Sequence, residues 1–200
     1  MRAGTAPSAV RRAVIVAIQG AAGSFSEGAA QRLAGRDARV LSCGSFDELF
    51  AAVARRCADR GVVPVHNTIA GPVFDNAQRV RAPAFVEMAR LRYPVAQCLI
   101  ARRRVPLGTL RRVASHPVAL RQCARFFAAF PACARVEVAD TGSGVRDLMA
   151  GALDVDAVIG SAAAARLFGG VTLLDRVDDA ADNATEFVLF ARAGSRAAWR

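Results

Sequence analysis

The residues best suited to chemistry in this chain are uncharged, and they gather at the ends of apolar runs. Ser24 and Ser26, Asn67 and Thr68, Ser115, Thr141 and Thr185 each follow or open a short hydrophobic stretch. Hydroxyls and amides converging from several strand ends suit a small ligand held by hydrogen bonds. Each of them, taken singly, serves equally well as a cap or turn residue. Two histidines, His66 and His116, lack the neighbouring carboxylates or thiols of a zinc site. Every basic residue is arginine, so chemistry through a lysine Schiff base is excluded.

The elements that must position these groups alternate. Residues 14–18 form a β-branched run closed by Gln19-Gly-Ala-Ala-Gly23, the pattern of a strand buried on both faces. Ser24 is placed to cap the next helix, with Glu27 at capping-box spacing. A strand at 40–42, an amphipathic helix over 46–58 (Phe46, Leu49, Phe50, Val53) and a strand at 61–65 follow. Residues 85–102 show no helical period and read as extended strands crossing away from the first sheet. A second α/β unit begins at 112–115, with a helix from Pro117 to about 130, where proline suits a first helical position. Strands at 136–139, 157–159 and 171–174 alternate with helices at 142–151 and 161–167, and an acidic loop (Asp178, Asp179, Asp182) leads to a final strand at 185–191. The reading is a two-lobed α/β protein with ligand chemistry at the strand C-termini.

Composition bounds the alternatives. With 200 residues, 54% hydrophobic and 22% charged, the chain can bury a real core. No apolar run approaches the ~18 residues of a membrane span, and no secretory leader is recognisable. The net charge of +10 rests on arginines scattered as Arg11–Arg12, Arg55–Arg56, Arg102–Arg104 and Arg111–Arg112. A nucleic-acid reader would cluster them with interleaved aromatics, so neither nucleic acid nor membrane is expected as a partner. Cys43, Cys57, Cys98, Cys123 and Cys133 include no CxxC pair and are expected to be reduced, in the cytoplasm.

Five blocks then resemble, in order, the catalytic domain of the prephenate dehydratase family. Gln19-Gly-Ala-Ala-Gly-Ser-Phe-Ser-Glu-Gly-Ala-Ala30 is similar to its opening glycine-rich motif, and Val62-Val-Pro-Val-His-Asn-Thr-Ile-Ala-Gly71 to the block usually written Val-Pro-Ile-Glu-Asn-Ser. Ser115-His-Pro-Val-Ala-Leu-Arg-Gln-Cys123 resembles its Ser-His-Pro block closely. Ala157-Val-Ile-Gly-Ser-Ala-Ala-Ala-Ala165 with Phe168-Gly-Gly, and Asn183-Ala-Thr-Glu-Phe187, resemble its last two, the final one usually Asn-x-Thr-Arg-Phe.

The resemblance implies a fold like that of type-II periplasmic binding proteins, with a central cleft. Lobe 1 would comprise about 13–80 plus 185–195 and lobe 2 about 85–182, after a frayed or disordered tail at 1–12. It implies a lyase that decarboxylates and dehydrates prephenate, or a close analogue, to phenylpyruvate. Thr185 would assist departure of the ring hydroxyl, while Asn67, Ser115 and Gln122 would hold the substrate; Ser24, Thr68 and Phe187 complete the implied binding set. No metal or organic cofactor is implied, and the family habit is a homodimer. Neither a C-terminal ACT domain nor a chorismate mutase domain is expected, hence no phenylalanine feedback through such a domain and a specialised-metabolism role.

Two motif positions depart from the pattern. His66 stands where the family usually has Glu, and Glu186 where it usually has Arg. Both are candidates for the catalytic set. One expectation is a compensated pair, His66 and Glu186 approaching each other across the cleft. The other is that Glu186 points outward by period-2 alternation between Thr185 and Phe187. The functional alternatives are a non-aromatising prephenate decarboxylase, whose members tend to lack the threonine present here as Thr185, and a diverged ligand-binding homologue.

Overall fold

The computed structural model describes residues 12–195, so the expected tail at 1–12 lies almost wholly outside the described residues. Two twisted sheets carry the chain. The first has the order β2-β1-β3-β11-β5, with β4 (Gly71–Pro72) pairing off β3 (Arg60–Asn67). Its strands β1 (Ile15–Gln19), β2 (Arg39–Cys43) and β3 run parallel, while β11 (Ala184–Arg192) is antiparallel to both β3 and β5 (Phe85–Pro94). The second sheet has the order β10-β6-β9-β7-β8, built from β6 (Cys98–Ala101), β7 (Arg112–Ser115), β8 (Ala134–Glu137), β9 (Ala157–Gly160) and β10 (Val171–Leu174).

Each sheet is covered on both faces, as continuous apolar strands require. In the first lobe, Ala29, Ala30 and Leu33 of α1 (Phe25–Ala34) pack on Val16, Ile18 and Phe187, while Leu49, Phe50 and Val53 of α2 (Phe46–Ala54) pack on Ala17, Val63 and Phe190. The short α3 (Asn76–Val80) closes the α2 side through Val80. In the second lobe, α4 (Pro117–Arg121) and α5 (Ala124–Ala129) cover one face, and α6 (Thr141–Ala150) and α7 (Ala162–Phe168) the other. Helix starts follow local capping: Ser24 Oγ accepts from Glu27 N at 3.2 Å, and Asp140 Oδ1 accepts from Gly142 and Ser143 at 2.9 and 2.8 Å.

Two expectations need correction. Residues 85–94 do not cross into the second lobe: β5 returns to the first sheet and pairs along its length with β11. The lobe boundary therefore falls after Pro94, and only β6 belongs to the second sheet. The single helix expected over 117–130 is two, broken at Gln122–Cys123. The break is stabilised from afar, because the Asp179 carboxylate accepts from Ala124 N and Arg125 N at 2.9 Å each and so caps α5.

The lobes are joined by two crossing segments, 95–97 and 175–183, which run side by side. Val95 N donates to Asn183 O (2.9 Å), Val177 N to Gln97 O (2.8 Å) and Gln97 N to the buried Asp178 carboxylate (2.8 Å). The lobes also touch directly where Ser161 Oγ donates to Gly23 O at 2.5 Å. That approach requires glycine at 23: its φ is +79°, and a Cβ there would sit 2.6 Å from Ala164 Cα.

Candidate functional site

Where the crossing segments meet the end of β3, five neutral polar side chains form one buried cluster: Asn67, Gln97, Gln122, Asn183 and Thr185. Asn67 is its hub. Its Oδ1 accepts from the backbone N–H groups of Ile69 (3.0 Å) and Ala70 (2.8 Å), a tight turn that fixes which way the amide faces. Nδ2 must then point at the partner strand. It donates to Thr185 Oγ1 at 2.9 Å, to Asn183 Oδ1 at 3.0 Å and to Ala184 O at 3.1 Å. Because the Thr185 oxygen accepts this bond, its own O–H remains available to donate elsewhere.

The second lobe enters through Gln122, the residue at the end of α4. Its Nε2 donates to Asn67 Oδ1 at 3.2 Å, and its Oε1 accepts from Asn183 Nδ2 at 3.3 Å and Gln97 Nε2 at 3.4 Å. Among the described residues, Gln97 Oε1 is buried without a hydrogen-bond partner. A buried carbonyl oxygen left open in an otherwise satisfied network is a place for a ligand donor. The cluster contains no ionisable side chain.

Of the residues singled out from sequence, Asn67, Gln122 and Thr185 are brought together here. Thr68 borders them: its Oγ1 accepts from Ala184 N at 3.0 Å and its N–H donates to Ala184 O at 2.9 Å, clamping β3 to β11. Ser115 is fully buried and spends its hydroxyl on Ile159 O at 2.7 Å, tying β7 to β9. Ser24 caps α1 behind the Gly23–Ser161 contact. Phe187 lies in the core of the first lobe, edge-on to Tyr93 at 6.2 Å between ring centres. Gln97 had no signal beyond being an amide amid apolar neighbours, and Asn183 was noticed only as a motif residue.

The pair His66 and Glu186 is corrected in kind. The two residues are direct cross-strand partners on β3 and β11, in one sheet rather than across the cleft. Among the described residues no ion pair joins them. Glu186 instead meets Arg90 of β5, Oε2 to Nη1 at 3.1 Å, and Arg90 is held as well by Glu87 at 2.5 and 2.8 Å. Those bonds, Glu87 foremost and Glu186 second, push the Arg90 guanidinium further into its charged form. Arg92 lies opposite Glu186 on the next strand.

His116, in the Ser-His-Pro block, caps α4 through Nδ1, which accepts from Val118 N at 3.2 Å. Burial first, and Arg121 second, lower its pKa against the weaker pull of Asp140 and Glu137. Cys43, Cys98, Cys123 and Cys133 are buried and Cys57 exposed, all unpaired, with burial pushing the Cys123 thiol up to about 12. Among the described residues, no group of three or more His, Cys, Asp or Glu could hold a metal ion, and no helix is long and apolar enough to cross a membrane.

The prephenate dehydratase family model matches residues 16–195. Arogenate dehydratase 2 of Petunia hybrida is 32% identical over 177 residues, 88% of this chain and 44% of the relative. The chain thus spans less than half the length of that relative. A crystal structure of prephenate dehydratase from Arthrobacter aurescens in complex with L-Phe superposes with a TM-score of 0.82 at 24% identity, covering 91% of this chain and 61% of that one. The structure of GqqA, described as a novel type of quorum quenching acylase, gives 0.77 at 26% identity, covering 90% and 65%.

Proposed function

The chain belongs to the prephenate dehydratase family, and on that premise we propose that it is a carbon–oxygen lyase acting on prephenate or on arogenate, its amino-acid counterpart. The C1–carboxylate bond breaks, its electron pair enters the ring, and the C4 hydroxyl leaves as hydroxide and takes up a proton. The products are carbon dioxide, water and an aromatic ring carrying the original side chain. Aromatisation makes the reaction strongly downhill, so the site needs to position the ring and assist one leaving group.

The observation that carries this reading is the Asn67–Thr185 bond of 2.9 Å inside a buried, uncharged cluster between the lobes. Asn67 holds the threonine oxygen as an acceptor, which directs its proton toward a departing hydroxyl. A neutral surround also suits the carboxylate that is lost. A cation there would bind the ground state more strongly than a transition state whose charge is dispersing into the ring, and would slow the reaction. Gln122 and Gln97 supply amide groups that hold the substrate without that penalty. The unusual residues at 66 and 186 support a substrate preference of its own, and the unpaired, mostly buried cysteines support a reducing compartment such as the cytoplasm.

Incubation with prephenate and with arogenate, following phenylpyruvate by absorbance and phenylalanine by mass spectrometry, tests the proposal. Formation of either aromatic product is the expected result. A decarboxylated, non-aromatic alcohol would identify a decarboxylase instead, and no conversion would leave a binding protein.

A further inference from the structure

We propose that Tyr93 is a positioning residue for Thr185, the aromatic wall that keeps the threonine hydroxyl turned toward Asn67. The inference rests on the lyase reading above, in which that hydroxyl assists the leaving group. Thr185 lies on the middle strand of three: its register partner on β3 is Asn67, and on β5 it is Tyr93. Register partners leave a sheet on the same face with Cβ atoms about 5 Å apart, so the row on this face reads Asn67, Thr185, Tyr93. The two flanks offer opposite chemistry. Asn67 Nδ2 donates to Thr185 Oγ1 at 2.9 Å, whereas among the described residues the Tyr93 phenol forms no hydrogen bond. A threonine rotamer that swung the hydroxyl toward β5 would lose the Asn67 bond and face an aromatic ring, where a methyl group loses nothing.

Three neighbours fix the ring itself. Phe187, two residues along β11 and on the same face, meets it edge-on at 6.2 Å with the ring planes at 86°. The Arg32 guanidinium of α1 lies over it, 5.3 Å from the ring centre. The helix also makes room: a Cβ at Gly28, inside α1, would stand 2.9 Å from Tyr93 Cζ and closer still to its Oη. Glycine inside a helix is unfavourable for its flexibility, and here it is what admits the phenol. The ring is thus wedged between α1 and β11, beside Thr185. It acts through the threonine and has no need to touch the substrate.

In the full chain, Tyr93→Ala is expected to lower kcat roughly tenfold or more with KM within about threefold, and Tyr93→Phe to restore kcat to within about threefold of the wild type. In a Thr185→Ala background the same Tyr93→Ala change should cost less than about twofold in kcat, because no hydroxyl is left to position. Equal losses in both backgrounds would make Tyr93 a packing residue and overturn the proposal, as would a loss confined to KM. Tyr93→Gln fills the space but offers the hydroxyl a competing partner, so it should match Tyr93→Ala and takes its place if the alanine variant does not fold. Three-bond NMR couplings to the Thr185 methyl carbon read the side-chain rotamer without turnover: one rotamer in the wild type and in Tyr93→Phe, averaging in Tyr93→Gln. If neither prephenate nor arogenate reacts, the lyase reading fails while these couplings still decide the positioning. A single Thr185 rotamer in Tyr93→Gln, or averaging already in the wild type, overturns it.

Discussion

Asn67 and Thr185 face one another across β3 and β11, and so do their immediate neighbours His66 and Glu186. The first pair is buried and neutral, and every polar atom given to it by Asn67 is spent within the protein. The second pair is solvent-facing and ionisable, and its acid is matched by an arginine from a third strand. One residue step along paired strands separates the two environments, because successive side chains leave a sheet on opposite faces. Chemistry that must avoid fixed charge fits the first row, and recognition of a charged substrate fits the second.

The largest test of that contrast is Asn67→Ala set against His66→Ala. Removing the Asn67 amide orphans the Ile69 and Ala70 N–H groups and the Gln122 amide, and frees Thr185 to turn. A loss of ~3 kcal/mol in stability by denaturant unfolding, with kcat down by on the order of 10²–10³, is expected. His66→Ala, on the exposed row, should change stability by no more than about 0.5 kcal/mol. Comparable losses from both would erase the distinction.

Thr185→Ala isolates the hydroxyl. With its proton assisting the leaving group, kcat should fall by about 10² while KM stays nearly constant, and Thr185→Ser should keep most of the activity. Equal loss in the serine variant would mean that the methyl group, and hence packing, is what matters at 185.

The exposed row has its own test in the double exchange His66→Glu with Glu186→Arg. It places an opposite-charge pair at two cross-strand positions on an exposed face and removes the Glu186–Arg90 contact, so stability should move by under ~1 kcal/mol. A guanidinium in place of the Glu186 carboxylate should lower KM for the dianionic prephenate several-fold with kcat little changed. A rise in KM, or an effect only on kcat, would show that the row does not read substrate charge.

Much of this organisation was legible in the sequence. The capping pattern at Ser24, apolar strands closed by polar residues, and the motif positions 67, 122 and 185 all led to the right elements. What could not be read was decided by partners far along the chain. The place of β5 depends on β11, nearly a hundred residues later, so its extended character was visible and its sheet was not. The break at Gln122 carries no glycine or proline; it is made by the Asp179 carboxylate capping α5. Gln97 gains its meaning only where two crossing segments meet, and Ser115, a motif residue, is absorbed by Ile159 O. The pairing of Glu186 with Arg90 rather than His66 likewise follows from which strand became its second neighbour.

His116 tests how far the neutral zone extends. It caps the start of α4, at the opposite end of that short helix from Gln122, and burial and Arg121 favour its neutral form. The folded pKa lies below the unfolded one, so above the ordinary histidine value both states are neutral and stability is insensitive to this group. As pH falls through that value the unfolded chain takes up the proton first, and the stability contribution is lost progressively down to the lower, folded pKa. Asn in its place keeps a side-chain acceptor for the helix cap and removes the titration. Thermal unfolding of the two proteins should therefore coincide near pH 7.5, with the wild type falling behind His116→Asn as pH is lowered toward 5. This is the smallest of the four effects, and it has a definite sign. A wild type that gains on the variant in acid would mean that Asp140 and Glu137, not burial, govern His116, and that fixed charge reaches the residue next to Ser115.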